Sequence, residues 1–538
     1  MSLILTENGV LNHKEEWKKA GYDLPEFDRK AVIKNTREKP MWVHFGAGNI
    51  FRAFQANIMQ ELLNDGSMDS GLIAVDGFDS EIIEKMYKPH DCMGILVTLK
   101  SDGMVDKTVI GSIVEALAAD RENVDDMARL IEIFESDSLQ MVSFTITEKG
   151  YSLVDGKGEL LSAVKADMGN KPDMSVSYIG KVTSLLYARF LAGAKPVAMV
   201  SMDNCSHNGD KLYNAVHEFA VAWEKAGHAE TGFTAYIEDK NKVSFPWTMI
   251  DKITPRPDPK VVSILESDGI CGLEPVITSR NTYVAPFVNA EECQYLVIEN
   301  QFPNGRPPLD KKGVIFTDRD TVDKVEKMKV CTCLNPLHTT LAVFGCLLGY
   351  KLISSEMDNP VLKKLVEIIG YEEGMPVVVN PGVIEPKSFI DEVLTKRIPN
   401  PFMPDTPQRI ATDTSQKLGI RFGETIKAYQ RSENLDVKSL KRIPLVFAGW
   451  LRYLMGIDDT GESFELSPDP LLETVCPYVS EIKLGDTDIH DKVAPILSDE
   501  KLFGINLYEA GLGELTEQYF IEMLADKGAV AATLFKYI

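Results

Sequence analysis

Lys329, Asn335 and His338 fall within one stretch, Val325–Tyr350, which reads VEKMKVCTCLNPLHTTLAVFGCLLGY. A lysine can move a proton, and an amide can hold a carbonyl or alkoxide oxygen without losing one. An imidazole can orient hydroxyls. The spacing Asn335-x-x-His338 sets two of these groups on neighbouring faces of a helix. Leu341, Val343, Phe344, Leu347 and Leu348 follow, so the helix is expected to be buried. Three polar side chains at the head of a buried helix cost desolvation unless they are satisfied or used. Taken alone, the stretch is equally a core helix with a capped end.

Other residues of suitable chemistry stand where strands should end. Asp203-Asn204-x-x-x-Asn208-Gly209 follows the strand-like Pro196–Met202. Asn204 could donate its amide hydrogens to a substrate oxygen, whereas Asn208 reads as turn and N-cap chemistry. Asp251-Lys252 lies in an apolar strand-like run, as a functional edge or a solvated pair. Arg397 and Lys417 are cations that could meet a substrate carboxylate or hydroxyl, or lie on the surface. Cys331-x-Cys333 and His338 invite a metal reading. At helical spacing the two cysteines diverge by about 160°, so buried thiols and no metal are expected.

These groups need a frame, and the first part of the chain supplies its pattern. A strand, Met41–Phe45, runs directly into Gly46-Ala47-Gly48, and a helical apolar pattern (Ile50, Phe54, Ile58, Leu62) follows. Strand, glycine turn and helix are the parts of a dinucleotide phosphate site. Gly46 permits the tight turn, and Gly48 lets backbone amides approach pyrophosphate at the helix N-terminus. Phe51 holds the place of the usual third glycine. Asn49 and Arg52 complete the expected phosphate-side residues. A second strand, Gly71–Val75, ends at Asp76, with Asp79 behind it. Asp76 is expected to accept the adenosine ribose hydroxyls and to repel a 2′-phosphate, which favours NAD over NADP.

Helix-like and strand-like stretches then alternate to about residue 260, as in a parallel sheet covered by helices. From about residue 350 the pattern is mainly helical. The expected fold is α/β: a Rossmann-type N-terminal domain over residues 1–300, followed by a mainly α-helical domain over 301–538. Lys+Arg 57 against Asp+Glu 80 gives a net charge of −23, which argues against nucleic acid and anionic membranes as partners. The eight cysteines form no dense framework, and the first residues lack a signal-peptide core. A cytoplasmic protein, monomeric or weakly homo-oligomeric, is expected.

Several landmarks together resemble the long-chain polyol-specific dehydrogenase/reductase family. They are His44-Phe-Gly46-Ala-Gly48-Asn-Ile-Phe-Arg52-Ala-Phe-Gln55, Thr145-Ile-Thr-Glu148-x-Gly-Tyr151, Asp203-Asn204-x-x-x-Asn208-Gly209, Ile250-Asp251-Lys252-Ile253-Thr254-Pro255 and Phe302-Pro303-Asn304-Gly305-Arg306-Pro307-Pro308. They occur in order, and the match continues through Lys396-Arg397-Ile-Pro-Asn400-Pro401 to Ser415-Gln416-Lys417. The resemblance implies NAD(P)-dependent, metal-free interconversion of a secondary alcohol and a ketone on an open-chain sugar. It implies Lys329 as general base, Asn204 and Asn335 as holders of the reacting oxygen, and His338 as a guide for substrate hydroxyls. Glu326 would relay protons, and Asp251 and Arg397 would contact substrate. With cations available for a carboxylate, the expected pair is D-fructuronate and D-mannonate. Fructose with mannitol, or tagaturonate, are the alternatives in the same chemistry, and a non-catalytic dinucleotide-binding protein is the alternative of another class.

One departure bears on the lysine. Better-known members of that family have lysine and asparagine five positions apart; here Lys329 and Asn335 are separated by six. On a regular helix Lys329 and His338 would then lie on opposite faces. Pro336 removes the amide that would bond Thr332 and disfavours helical geometry at Asn335. A π-bulge or kink between Val330 and Pro336 is expected to absorb the extra residue.

Overall fold

The computed structural model describes residues 2–538 and divides into two compact units. The first comprises the described residues up to 100 and residues 104–323, the second 101–103 and 324–538.

The first unit is built on a six-stranded sheet. Its strands are β1 (Trp42–Phe45), β2 (Leu72–Asp76), β3 (Ile113–Ala118), β4 (Met141–Phe144), β5 (Val197–Ser201) and β6 (Val243–Ser244). Their order is β3-β2-β1-β4-β5-β6, and every neighbouring pair is parallel. This is the doubly wound arrangement whose strand order reverses between β1 and β4.

Side-chain alternation explains why the sheet is covered on both sides. Val43, Phe45, Ile73, Val75, Val142, Phe144, Val197 and Met199 join one apolar cluster, which also takes in Leu130, Leu185 and Phe219 from the helices Val124–Glu135, Tyr178–Leu191 and Asn208–Ala226. Trp42, Leu72, Ala74, Met141, Ala198 and Val200 join the other cluster with Phe51, Ile58 and Leu62. A parallel sheet is stable only when both faces are buried in this way. Each fully buried branched residue contributes about 1.5–3 kcal/mol.

Among the described residues four smaller sheets complete the unit, the two larger having four and three strands. Gly94–Leu99 and Val105–Ile110 form an antiparallel hairpin inserted between β2 and β3, and Phe287–Glu291 pairs parallel to its first strand. Thr248–Asp251 pairs antiparallel with Tyr295–Glu299, which pairs parallel with Ile315–Thr317. That last pairing carries the first unit on to Asp323, past the boundary at 300 read from the sequence.

The second unit is helical. Asn335–Leu347 is buried along nearly its whole length. It packs against Arg442–Leu454, which packs against Gly513–Leu524. Gly449 makes the first crossing close, since a Cβ there would stand 2.7 Å from the Phe344 ring. The head of Arg442–Leu454 is capped by the buried Glu373, whose carboxylate accepts the amides of Lys441, Arg442 and Ile443 at 2.7, 2.7 and 2.9 Å. A negative group there satisfies orphan donors and complements the helix dipole.

Candidate active site

The carboxyl ends of β1, β2, β4 and β5 bring the sequence-marked loops of the first unit to one edge of the sheet. Gly46 turns the chain out of β1 with φ +106°, and a Cβ on it would sit 2.2 Å from the Thr145 carbonyl oxygen. No other residue fits that corner. A Cβ on Gly48 would meet nothing within 4 Å, so the backbone there stands open. Asn49 begins the helical stretch behind it and is half-buried. A bare, outward backbone at a helix start is what a pyrophosphate requires.

Asp76 closes the turn from the side. Its Oδ1 accepts the amides of Phe78 and Asp79 at 2.8 and 2.6 Å. Burial raises the Asp76 carboxyl above its ordinary range, opposed by the amides of Asp79, Phe78 and Ala47. Asp79 is committed elsewhere, accepting the Thr278 hydroxyl at 2.5 Å. Of the two acids, Asp76 is therefore the one at the strand end beside the glycine turn.

Arg52 corrects an expectation. It is buried, and its Nη1 donates to the Ala285 carbonyl at 2.8 Å. Burial lowers its pKa. The reason lies in the backbone: Phe51–Gln55 is a π-helical turn whose five side chains are all buried. Arg52 is thus held in the core on the Ala285 carbonyl. His44, at the same strand end, is also structural. Its ring lies between Ser143 Oγ (2.7 Å) and Thr145 Oγ1 (2.8 Å), stacks on Phe51, and is pushed down to about 3 by burial.

The loops after β4 and β5 are pinned together by Asp203. Its carboxylate accepts the amides of Ile146 and Thr147 at 2.8 and 2.9 Å and the Tyr151 hydroxyl at 2.6 Å. Asn208 is spent on structure, as its turn chemistry implied. It donates to the Asp203 and Thr248 carbonyls and accepts the Thr248 amide. Asn204 stands exposed between these two anchors. Asp251 ends its strand in a buried position, and the neighbouring Lys252 Nζ turns to the Glu291 carbonyl at 2.6 Å. Asp203 and Tyr151 were legible as motif residues, but their mutual bond was not.

In the second unit, Lys329–Cys333 is a π-helical turn, and Leu334 after it is non-helical (φ −130°, ψ −61°). Asn335–Leu347 then starts afresh with Pro336 in its first turn. The bulge expected from the Lys329–Asn335 spacing is present, and its wider turn takes up one residue. Lys329 is 5% exposed. Cys333 is buried with its thiol toward the Pro386 carbonyl at 3.8 Å, and burial pushes that thiol up to about 12. Among the described residues no three His, Cys, Asp or Glu side chains gather as a metal set would.

His338 Nε2 lies 3.6 Å from Asp405 Oδ2, and the other oxygen of that carboxylate is paired to Arg409. Burial, and then the charges of Arg421, Arg409 and Arg397, push the imidazole down to about 3. The ring is therefore neutral at physiological pH, a hydrogen-bonding group rather than a cation. Arg397 is buried in a further π-helical turn, Val393–Arg397. Arg421, which the sequence did not single out, sits in another, Gly419–Gly423. Its signal was faint: an arginine amid Leu418, Ile420 and Phe422.

Residues 40–311 match the mannitol dehydrogenase Rossmann domain, and residues 321–520 match the mannitol dehydrogenase C-terminal domain. A D-mannonate oxidoreductase of Thermotoga maritima is 54% identical over 528 residues, which is 98% of this chain and 97% of that protein. A D-mannonate oxidoreductase of Escherichia coli is 28% identical over 90% of this chain and 93% of its own. Among solved structures, a substrate-free D-sorbitol dehydrogenase superposes with a TM-score of 0.78 at 25% identity, over 95% of this chain and 97% of that one. The Pseudomonas fluorescens mannitol 2-dehydrogenase in ternary complex with NAD and D-mannitol does so with a TM-score of 0.67 at 26% identity, over 99% of each chain.

Proposed function

We propose that this chain, which belongs to the mannitol dehydrogenase family, is an NAD-dependent oxidoreductase interconverting D-mannonate and D-fructuronate. The observation that carries the reading is the 54% identity, over nearly the whole chain, to a D-mannonate oxidoreductase. The residues present support it. Gly46, Gly48 and Asn49 would hold the pyrophosphate of NAD, the cofactor in the Pseudomonas complex, and Asp76 the adenosine ribose. When bound, the nicotinamide supplies the two-electron chemistry at the substrate carbon.

The chain's own residues then have one proton and one oxygen to manage. In the oxidising direction the Lys329 amine takes the proton of the substrate hydroxyl as the carbon is oxidised. In the reducing direction the Lys329 ammonium returns a proton to the oxygen as it becomes a hydroxyl. Asn204 and Asn335 donate amide hydrogens to that oxygen and stabilise its developing charge without competing for the proton. The neutral His338 ring bonds a neighbouring substrate hydroxyl, and Asp251 and Arg397 act as further substrate contacts. Glu326, one turn before Lys329, passes the proton to solvent. No step asks for a metal ion.

The test is an NADH oxidation assay with D-fructuronate, D-tagaturonate and D-fructose, run with and without a chelator. Turnover of D-fructuronate that a chelator leaves unchanged is expected, as is loss of about 10²–10⁴-fold in kcat for Lys329→Ala with NADH binding retained. Turnover of D-fructose alone would reassign the substrate. NADH binding with no turnover of any of the three would make the chain a dinucleotide-binding protein.

A further inference from the structure

Three cations influence His338, and they are not equivalent. Arg409 is paired to the Asp405 carboxylate. Arg397 is buried within its own π-helical turn. Arg421 differs from both. Its one hydrogen bond is to an uncharged group, the Thr339 hydroxyl, and among the described residues no carboxylate pairs with it.

The hydroxyl that holds Arg421 is itself fixed. Thr339 is fully buried and its Oγ1 donates to the Asn335 carbonyl at 2.9 Å. Asn335 carbonyl, Thr339 hydroxyl and Arg421 guanidinium thus form a chain along the first turn of the helix that carries Asn335 and His338. The π-helical turn of Arg421 also packs against the π-helical turn of Lys329, and Thr425 just beyond it donates to the Cys331 carbonyl at 3.5 Å. Arg421 is therefore tied at two levels to the segment bearing the proposed catalytic groups.

A guanidinium in this setting is costly. Burial lowers its pKa to about 10, with no anion opposing the shift. A partly desolvated cation without a counter-charge, in a protein of net charge −23, is a site waiting for an anion rather than a contribution to stability. The planar fork of arginine matches a carboxylate in bidentate fashion.

We propose that Arg421 binds the carboxylate of the sugar acid and so selects sugar acids over neutral polyols. This rests on the function proposed above. The substrate carboxylate meets the guanidinium nitrogens left over by Thr339, while its hydroxyls meet His338. Asn335 and Lys329, on the same segment, lie toward the reacting carbon.

The experiment compares wild type with Arg421→Gln, Arg421→Lys and Thr339→Val, measuring kcat and KM for D-fructuronate and, by fluorescence titration, the affinity for NADH. Arg421→Gln is expected to raise KM by about 30-fold or more, with NADH affinity within about twofold of wild type. Arg421→Lys restores part of that loss, and Thr339→Val, which frees the anchor but keeps the charge, raises KM by about three- to tenfold. If Arg421→Gln does not fold, the lysine and valine variants carry the test alone, and an unchanged KM in both overturns the inference. A fall in kcat at unchanged KM in Arg421→Gln also overturns it, since Arg421 would then only position His338. Wild type that turns over D-fructuronate, with Arg421→Gln equally efficient, overturns this inference and leaves the proposed function standing. Wild type that turns over no sugar acid overturns both.

Discussion

Glu356 offers a sharp test of how the second unit is stabilised. It is fully buried, and neither carboxylate oxygen has a hydrogen-bond partner. It is wedged against Asn335–Leu347 so closely that a Cβ on Gly345 would stand 2.1 Å from its Oε1. With nothing to stabilise the charge, burial pushes the carboxyl up to about 9, and it is protonated in the folded protein at neutral pH. The sign follows. The folded pKa lies above the unfolded one, so the contribution of Glu356 is most favourable below pH 4.5, falls as the unfolded chain ionises, and goes on falling until pH reaches about 9. Between pH 6 and pH 8 the slope is about 1.4 kcal/mol per pH unit, or about 3 kcal/mol in all. In a unit of about 200 residues, this corresponds to roughly 6–12 °C in Tm. Glu356→Gln keeps the shape and cannot ionise. Its buried amide lowers stability by a constant of about 1–3 kcal/mol, so the quantity to compare is the slope. Thermal unfolding of both proteins at pH 6, 7 and 8 should show the wild type losing about 6–12 °C more than the variant. Parallel pH dependences in the two would refute the claim that Glu356 is buried as the neutral acid.

Other expectations follow from the same geometry. Gly46→Ala forces a Cβ into the Thr145 carbonyl from a left-handed backbone, and should weaken NADH binding by about tenfold or more in a fluorescence titration, with a lowered Tm. Asp76→Ala removes the carboxylate beside the glycine turn, and the ratio of kcat/KM with NADPH to that with NADH should rise by about tenfold or more; an unchanged ratio would remove Asp76 from the ribose site. Deleting Val330 should let the π-helical turn Lys329–Cys333 close as an α-helical one, leaving Tm within about 5 °C and measurable sugar-acid turnover. Complete loss of turnover in that soluble deletion would show that the wider turn is itself required.

Much of the frame was legible because parallel sheets and buried helices leave periodic signatures. The strand before Gly46, the helix after it, the acid ending the second strand and the helix from Asn208 all follow from local spacing. So did the distortion at Lys329–Cys333, because a step of six positions from Lys329 to Asn335, with Pro336 next, would put Lys329 and His338 on opposite faces of a straight helix. Less legible was anything set by where a side chain points after a distortion. Arg52 follows the glycine turn at a spacing suited to phosphate, yet the π-helical turn Phe51–Gln55 swings it inward to the Ala285 carbonyl. The inserted hairpin Gly94–Ile110 and the extension of the first unit to Asp323 rest on pairings between distant strands that no local window contains.

What the sequence determined by itself is the set of local conformations and chemical candidates: the glycine that must turn left-handed, the acid at a strand end, and the lysine, asparagine and histidine at the head of an apolar helix. Those depend on residues within a turn or two of one another. Tertiary structure alone decided the charge state and company of each group. Glu356 is neutral and His338 is a neutral ring beside Asp405. Arg409 has its counter-ion, while Arg421 has only Thr339. Desolvation and pairing energies belong to neighbours brought together from far along the chain, and no local spacing encodes them.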